Sequence, residues 1–117
     1  MRFLIPGVMG VKIKRRQRTF CAVLGFLPDG EHLKSLLIGV EDGGQLTYAG
    51  RVGSGWDDAE RARINGLVRA RVADAPIVPC PGDAVWVEPG LYCTVDFLER
   101  GESGELRAPV FVEMVEG

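Results

Sequence analysis

The 117-residue chain has a single histidine and only three cysteines. His32 has no acidic cluster near it in sequence, which excludes a histidine-based triad or metal centre and leaves it as a solvated loop residue. Cys21, Cys80 and Cys93 are odd in number and have no Cys-x-x-Cys spacing. That argues against a disulfide scaffold or structural zinc site and for a reducing compartment. Long apolar runs are also missing: glycine, arginine or aspartate breaks each after a few residues, so no segment is suited to cross a bilayer. Residues 1–6 are too few for a secretory leader. The expected location is therefore the cytoplasm, with no membrane partner.

What is present is a moderately apolar chain, 46% hydrophobic and 26% charged with a net charge of −2. This is enough for one small domain with its own core, and too little for a catalytic domain plus a second substrate domain. The mean charge hides an asymmetry. Residues 1–28 carry six basic side chains and no acid, residues 29–72 are nearly balanced, and residues 73–117 carry nine acids against two bases. A basic N-terminal patch suits phosphate, while the acidic end serves solubility or repulsion.

Hydrophobic periodicity places the elements. Residues 11–26 read as a long, curved strand with both faces largely apolar, and Gly25 marks a bend or bulge before the Pro28-Asp29-Gly30 turn. Leu33 to Val40 and Leu46 to Val52 form a hairpin about Glu41-Asp42-Gly43-Gly44. Ile64, Leu67, Val68 and Val72 then recur at helical spacing over residues 57–72, with Asp57 and Glu60 as a capping box. Gly66 weakens this helix. Residues 73–84 are a proline-rich connector, followed by a short extended piece, Val85-Trp86-Val87. The fourth main strand points Leu91, Cys93, Val95 and Phe97 inward and Tyr92, Thr94 and Asp96 outward. After the 101–104 turn, the last strand, about Ala108 to Val115, groups Val110, Val112 and Met114 on one side. Three strands, a helix and two strands predict an all-β fold, a five-stranded OB-fold barrel with one helix between strands 3 and 4. An SH3-like barrel is the nearest competitor and needs no such helix.

Among candidate sites, Lys12, Lys14, Arg16 and Arg18 fall on one face of an extended segment, about 6.6 Å apart. With Arg15 they form a cationic row suited to DNA phosphates, although a solvated basic strand has the same pattern. In Arg51-Val52-Gly53-Ser54-Gly55, the glycines permit close backbone approach, and Arg51 and Ser54 are candidate phosphate donors. The alternative is a flexible strand-to-helix turn. Tyr48, Trp56, Trp86 and Tyr92 serve either base stacking or packing. Asp96, Glu99, Glu102 and Glu105 straddle a hairpin and read as a solvated face rather than a metal set.

Several ordered segments together resemble the C-terminal OB-fold domain of ATP-dependent DNA ligases, of the bacterial multifunctional end-joining type. They are Lys12-Ile13-Lys14-Arg15-Arg16-Gln17, Leu36-Leu37-Ile38-Gly39-Val40, the run from Leu46 to Gly55, Trp86-Val87-Glu88-Pro89, and the run from Gly104 to Phe111. The resemblance covers essentially the whole chain and makes residues 1–10 a remnant linker. It implies that Lys12 and Lys14 contact nucleotide phosphates when the domain closes on a nucleotidyltransferase core. It also implies that the domain clamps nicked duplex DNA, in a reaction that forms a lysyl-adenylate, passes AMP to a 5′-phosphate and seals the nick.

The adenylated Lys-x-Asp-Gly element is absent from the sequence. Gly10 replaces the family's tryptophan before the lysine pair, and Val112-Glu113-Met114-Val115-Glu116-Gly117 stands where the family has Arg-x-Asp-Lys. The expectation is a DNA-binding module rather than an autonomous ligase, with no cofactor of its own. ATP and Mg are needed only beside a separate adenylation domain. The expected partners are nicked or duplex DNA and that domain or another DNA-repair protein. The alternatives are a protein-interaction barrel that has lost DNA contact, and an enzyme subunit active only when a separate adenylation domain docks through the N-terminal basic segment.

Overall fold

The computed structural model describes residues 16–116, and only the backbone of Glu116. In chain order these form β1 (Gln17–Asp29), β2 (His32–Asp42), β3 (Gln45–Val52), α1 (Asp58–Arg69), β4 (Val72–Ala73), β5 (Val85–Val87), β6 (Leu91–Phe97) and β7 (Val110–Glu116). All the pairings are antiparallel.

β1 is the hub because it changes partners along its length. Residues Gln17 to Ala22 pair with β6, the half from Ala22 to Asp29 pairs with β2, and Gly25 and Phe26 also meet β5. The register shift between Val23 and Gly25 is the bulge expected near Gly25. Glycine is needed there because a Cβ would lie 2.7 Å from the carbonyl oxygen of Val85. β1 continues to Asp29, beyond the expected end at Phe26, and the turn follows at Gly30 with φ of 61°.

The expected five-stranded closed barrel is not what forms. Seven strands make one open sheet, ordered β3-β2-β1-β5-β4, with β6 joining β1 and β7 joining β6. Closure fails because β3 and the segment just after it meet the far side through single hydrogen bonds rather than a ladder. Leu106 N–H donates to the Ala49 carbonyl at 2.9 Å, and Phe111 N–H donates to that of Ser54 at 2.8 Å. β7 starts only at Val110, just after Ala108 takes a positive φ of 50°. The two short strands β4 and β5 enter the sheet on the other branch instead.

The apolar pattern mostly finds its core. Cys21, Val23, Phe26, Leu36, Ile38, Val52, Cys93, Val95 and Phe97 are buried together, and β6 alternates as its sequence indicates. Two assignments change. The β6–β7 register slips between Thr94 and Val95, so Val95 faces Phe111 and Cys93 faces Met114. Val110, which faces Asp96, and Met114, which faces Cys93, therefore do not share one side as expected, and Phe111 is the buried side chain of β7. α1 ends at Arg69 with Ala70 as its C-cap. Val72, expected on the helix's apolar stripe, is instead 53% exposed and pairs with Val87.

α1 starts as expected: the Asp57 carboxylate accepts from the Glu60 N–H at 2.7 Å. It buries Ile64 and Val68 and packs against β2. Arg69 locks its far end to the β1–β2 turn. Its Nη2 donates to the carbonyls of Gly30 at 2.9 Å and His32 at 3.2 Å, and its guanidinium lies 5.6 Å over the Phe26 ring. No described helix is long and apolar enough to cross a membrane.

Candidate nucleic-acid interface

The period of two along β1 puts Arg16, Arg18, Phe20 and Ala22 on the outward face, opposite buried Cys21 and Val23. Arg18 pairs with Asp96 of the adjacent strand. Arg18 Nε donates to Asp96 Oδ1 at 2.7 Å and Nη2 to Oδ2 at 3.3 Å, and the Arg18 side chain remains 62% exposed. The hydrogen bond from Arg18 holds the Asp96 carboxyl below its ordinary value, with the charges of Arg18 and Arg16 acting in the same direction against desolvation. Arg16 Nη1 donates to the Ala108 carbonyl at 2.9 Å. Lys12, Lys14 and Arg15 lie outside the described residues.

Next to the arginines on this face, Phe20 is 54% exposed and stacks on Tyr92, with centroids 5.1 Å apart and planes 20° apart. Phe20 was not singled out from sequence, although it shares the parity of Arg16 and Arg18, and that parity is the signal that would have found it. Tyr92 faces outward with Thr94 and Asp96, as expected.

The second predicted element lies apart from Asp96. Arg51 is exposed at the end of β3 and lines a cleft of about 320 Å³ with Tyr48, Asp83 and Glu105. Burial, then the Glu105 charge, pushes the Tyr48 hydroxyl above its usual range, and Arg51 opposes this. Ser54 is exposed, and its carbonyl is taken by Phe111. The close approach that the glycines permit is made by this chain's own backbone. A Cβ at Gly53 would lie 3.0 Å from the Lys34 carbonyl, and one at Gly55, where φ is 103°, would lie 2.7 Å from Phe111 N. Trp56 packs on Phe111 at 5.3 Å, and Trp86 lies over Gly25, so both tryptophans serve packing.

The acidic set does not converge. Asp96 pairs with Arg18, Glu99 with Arg107 at 3.1 Å, and Glu105 accepts from Ser103 at 3.4 Å.

Residues 29–116 match the family model described as the ATP dependent DNA ligase C terminal region. The chain belongs to that family. It is 29% identical over 113 residues to the multifunctional non-homologous end joining protein LigD of Pseudomonas aeruginosa PAO1, covering 86% of this chain and 14% of that protein. The crystal structure of the ligase domain of M. tuberculosis LigD superposes with a TM-score of 0.78 at 25% identity, over 86% of this chain and 35% of that one. A mycobacterial DNA ligase D complexed with ATP and MES superposes with a TM-score of 0.72, also at 25% identity and with the same coverage. The 117 residues thus correspond to part of a LigD-type ligase rather than to a complete autonomous enzyme.

The family name implies ATP and, with it, a divalent cation. No three His, Cys, Asp or Glu side chains among the described residues cluster to hold a metal. The cleft beside Phe20 is lined by Glu41, and the other by Arg51 together with Asp83 and Glu105.

Proposed function

We propose that the chain is a DNA-contacting C-terminal module of an ATP-dependent ligase, grasping nicked or duplex DNA through phosphates while an adenylation domain carries out the chemistry. The observation that carries this reading is the exposed Arg16–Arg18 face of β1, continuous in sequence with Lys12, Lys14 and Arg15, in a member of this family. Each phosphate neutralised by such a row releases counterions, so affinity falls steeply with salt. Arg51 and Ser54 add a second, separate set of phosphate donors. ATP and Mg²⁺ enter only with the adenylation domain, where Lys12 and Lys14 of this module would meet nucleotide phosphates. Nucleotide chemistry there would supply the activated 5′ end that the module helps to hold.

Titration of nicked, intact and single-stranded DNA at two salt concentrations tests the reading. Neutralising Lys12, Lys14, Arg16 and Arg18 together should weaken duplex binding and flatten the log–log salt slope by about 0.9 per lost phosphate contact. An unchanged affinity and slope in the quadruple variant would sink it. One observation favours a second reading, a protein-interaction module without DNA contact: Arg18 is already matched by Asp96, with Glu113 adding to the same field. Recovery of one stoichiometric protein partner, with no DNA binding at low salt, would select that reading.

A further inference from the structure

We propose that the cleft beside Phe20 takes one unpaired DNA base, guanine best of the four, with the flanking backbone lying toward Arg18 and Arg16. This inference rests on the DNA-contact reading above and goes beyond it, because phosphate contacts alone require no base to leave the duplex.

The cleft holds about 230 Å³ and is lined by Phe20, Ala22, Glu41, Leu46, Ile77 and Tyr92 among others. That is below the roughly 300–1,000 Å³ typical of sites for drug-sized ligands, and it suits a single flat ring system. Its geometry follows from the strand order. β1 lies between β2 and β6, and Tyr92 comes from the β6 side to cover one face of the Phe20 ring. Phe20 remains 54% exposed, and Glu41 and Leu46, paired across β2 and β3, line the same cleft. A base entering there becomes the third member of a stack that already has two. Ala22 keeps the floor low, and Ile77 of the connector, itself 37% exposed, supplies an apolar wall.

Two charged groups, Glu41 in the lining and Arg18 two residues from Phe20, favour a hydrogen-bonding base over an apolar peptide side chain. Arg18 lies two residues from Phe20 on the same face, about 6.8 Å along the strand. Asp96 takes its Nε and Nη2 and fixes the guanidinium, while Nη1 has no acceptor among the described residues. At the cleft, Glu41 is exposed and accepts hydrogen bonds only. Guanine offers a carboxylate two adjacent donors, N1–H and the exocyclic amine. Adenine and cytosine offer an amine, and thymine offers one N–H between two carbonyl oxygens that repel the carboxylate.

The test compares the full chain on three nicked duplexes at one salt concentration: fully paired, with one unpaired guanosine at the nick, and with one unpaired thymidine there. The unpaired-guanosine duplex should bind about 5- to 30-fold tighter than the paired one. Phe20→Ala should bring these two to equal affinity, and Phe20→Trp should retain the gain. Glu41→Gln should erase the difference between guanosine and thymidine, whereas Arg16→Ala with Arg18→Ala should weaken all three by a similar factor. A wild-type chain that binds paired and unpaired substrates equally, or a Phe20→Ala chain that keeps the gain, overturns this inference alone. Failure of the wild type to bind any of the three overturns the DNA-contact reading as well. If Phe20→Ala instead weakens capture of a purified LigD-type adenylation domain and leaves all DNA affinities unchanged, the cleft is a protein-docking surface and the proposal falls.

Discussion

Asp96 of β6 grips Arg18 of β1 through both carboxylate oxygens, at 2.7 and 3.3 Å, directly across the strand pair. The pair orders the guanidinium and also offsets its charge at the surface proposed to meet DNA. Asp96→Asn should therefore raise duplex affinity and steepen the log–log salt slope by up to about 0.9, one additional phosphate's worth. Anisotropy titrations at several salt concentrations measure both quantities.

The same pair sets a pH dependence with a definite sign. The folded Asp96 carboxyl is held below its ordinary value, chiefly by the Arg18 hydrogen bond. Its contribution to stability is therefore complete above the unfolded carboxylate value of about 3.9 and is lost as pH falls through the lower folded value. The stability difference between wild type and Asp96→Asn should be flat from neutral pH down to about 5 and should shrink below about 4. Urea unfolding of both chains at pH 7 and in acid measures it; a difference that grows in acid would contradict the assignment.

Arg69 ties α1 to the first hairpin. It donates to two turn carbonyls and to Asn65 Oδ1 at 2.7 Å, and Asn65 in turn donates to the Glu31 carbonyl at 2.7 Å. Arg69→Ala removes these bonds and the contact with Phe26, and should cost about 1–2 kcal/mol. Arg69→Lys should recover only part, since one ammonium cannot reproduce the planar fork. Denaturant midpoints with unchanged m-values would register the loss as stability rather than altered compactness.

Two glycines should respond in opposite directions to alanine. Gly66 is helical, with nothing within 4 Å of an added Cβ, so Gly66→Ala should stabilise by about 0.5–1 kcal/mol. Gly55 has φ of 103° and faces the backbone of Phe111 and the Val110 side chain. Gly55→Ala meets both torsional strain and overlap, each of order 1–3 kcal/mol. Thermal melts of the two variants provide the contrast.

The main strands and the helix were legible in sequence because their burial follows simple periods: β6 alternates strictly, and Ile64 and Val68 lie four apart on one face, whereas β4, whose Val72 was read as helical, was not. The open sheet was not legible. Closure depends on whether β3 and β7 overlap in register, and neither hydrophobicity nor turn composition encodes that. The β7 parity was misread for a related reason, since the slip between Thr94 and Val95 exchanges which β7 residues face inward. At the candidate site, the cationic parity of Arg16 and Arg18 was readable. The pairing of Arg18 with Asp96 was not, because it depends on a partner 78 residues away in the chain. Phe20 was hidden by a strand whose two faces are both apolar, so that hydrophobicity could not show which ring stays in water.

Cys21 and Cys93 face each other across β1 and β6, both fully buried. Burial pushes the Cys21 thiol up to about 12 and that of Cys93 well above its ordinary range. The thiolate is the reactive form, so both should resist alkylation in the native state at pH 8. Cys80, in the connector, is partly exposed, and burial raises its thiol more modestly. Iodoacetamide should therefore modify one cysteine in the native chain, mapping to Cys80, and all three in denaturant. The labelling rate of Cys21 and Cys93 at intermediate urea should follow the population of opened molecules, since neither thiol meets reagent until β1 and β6 part. Mass spectrometry of quenched samples reads both the site and the rate. Native labelling of Cys21 at a rate comparable to Cys80 would show that the β1–β6 pair opens locally, and the outward face that carries Arg18 and Phe20 would then lack the rigid support assigned to it.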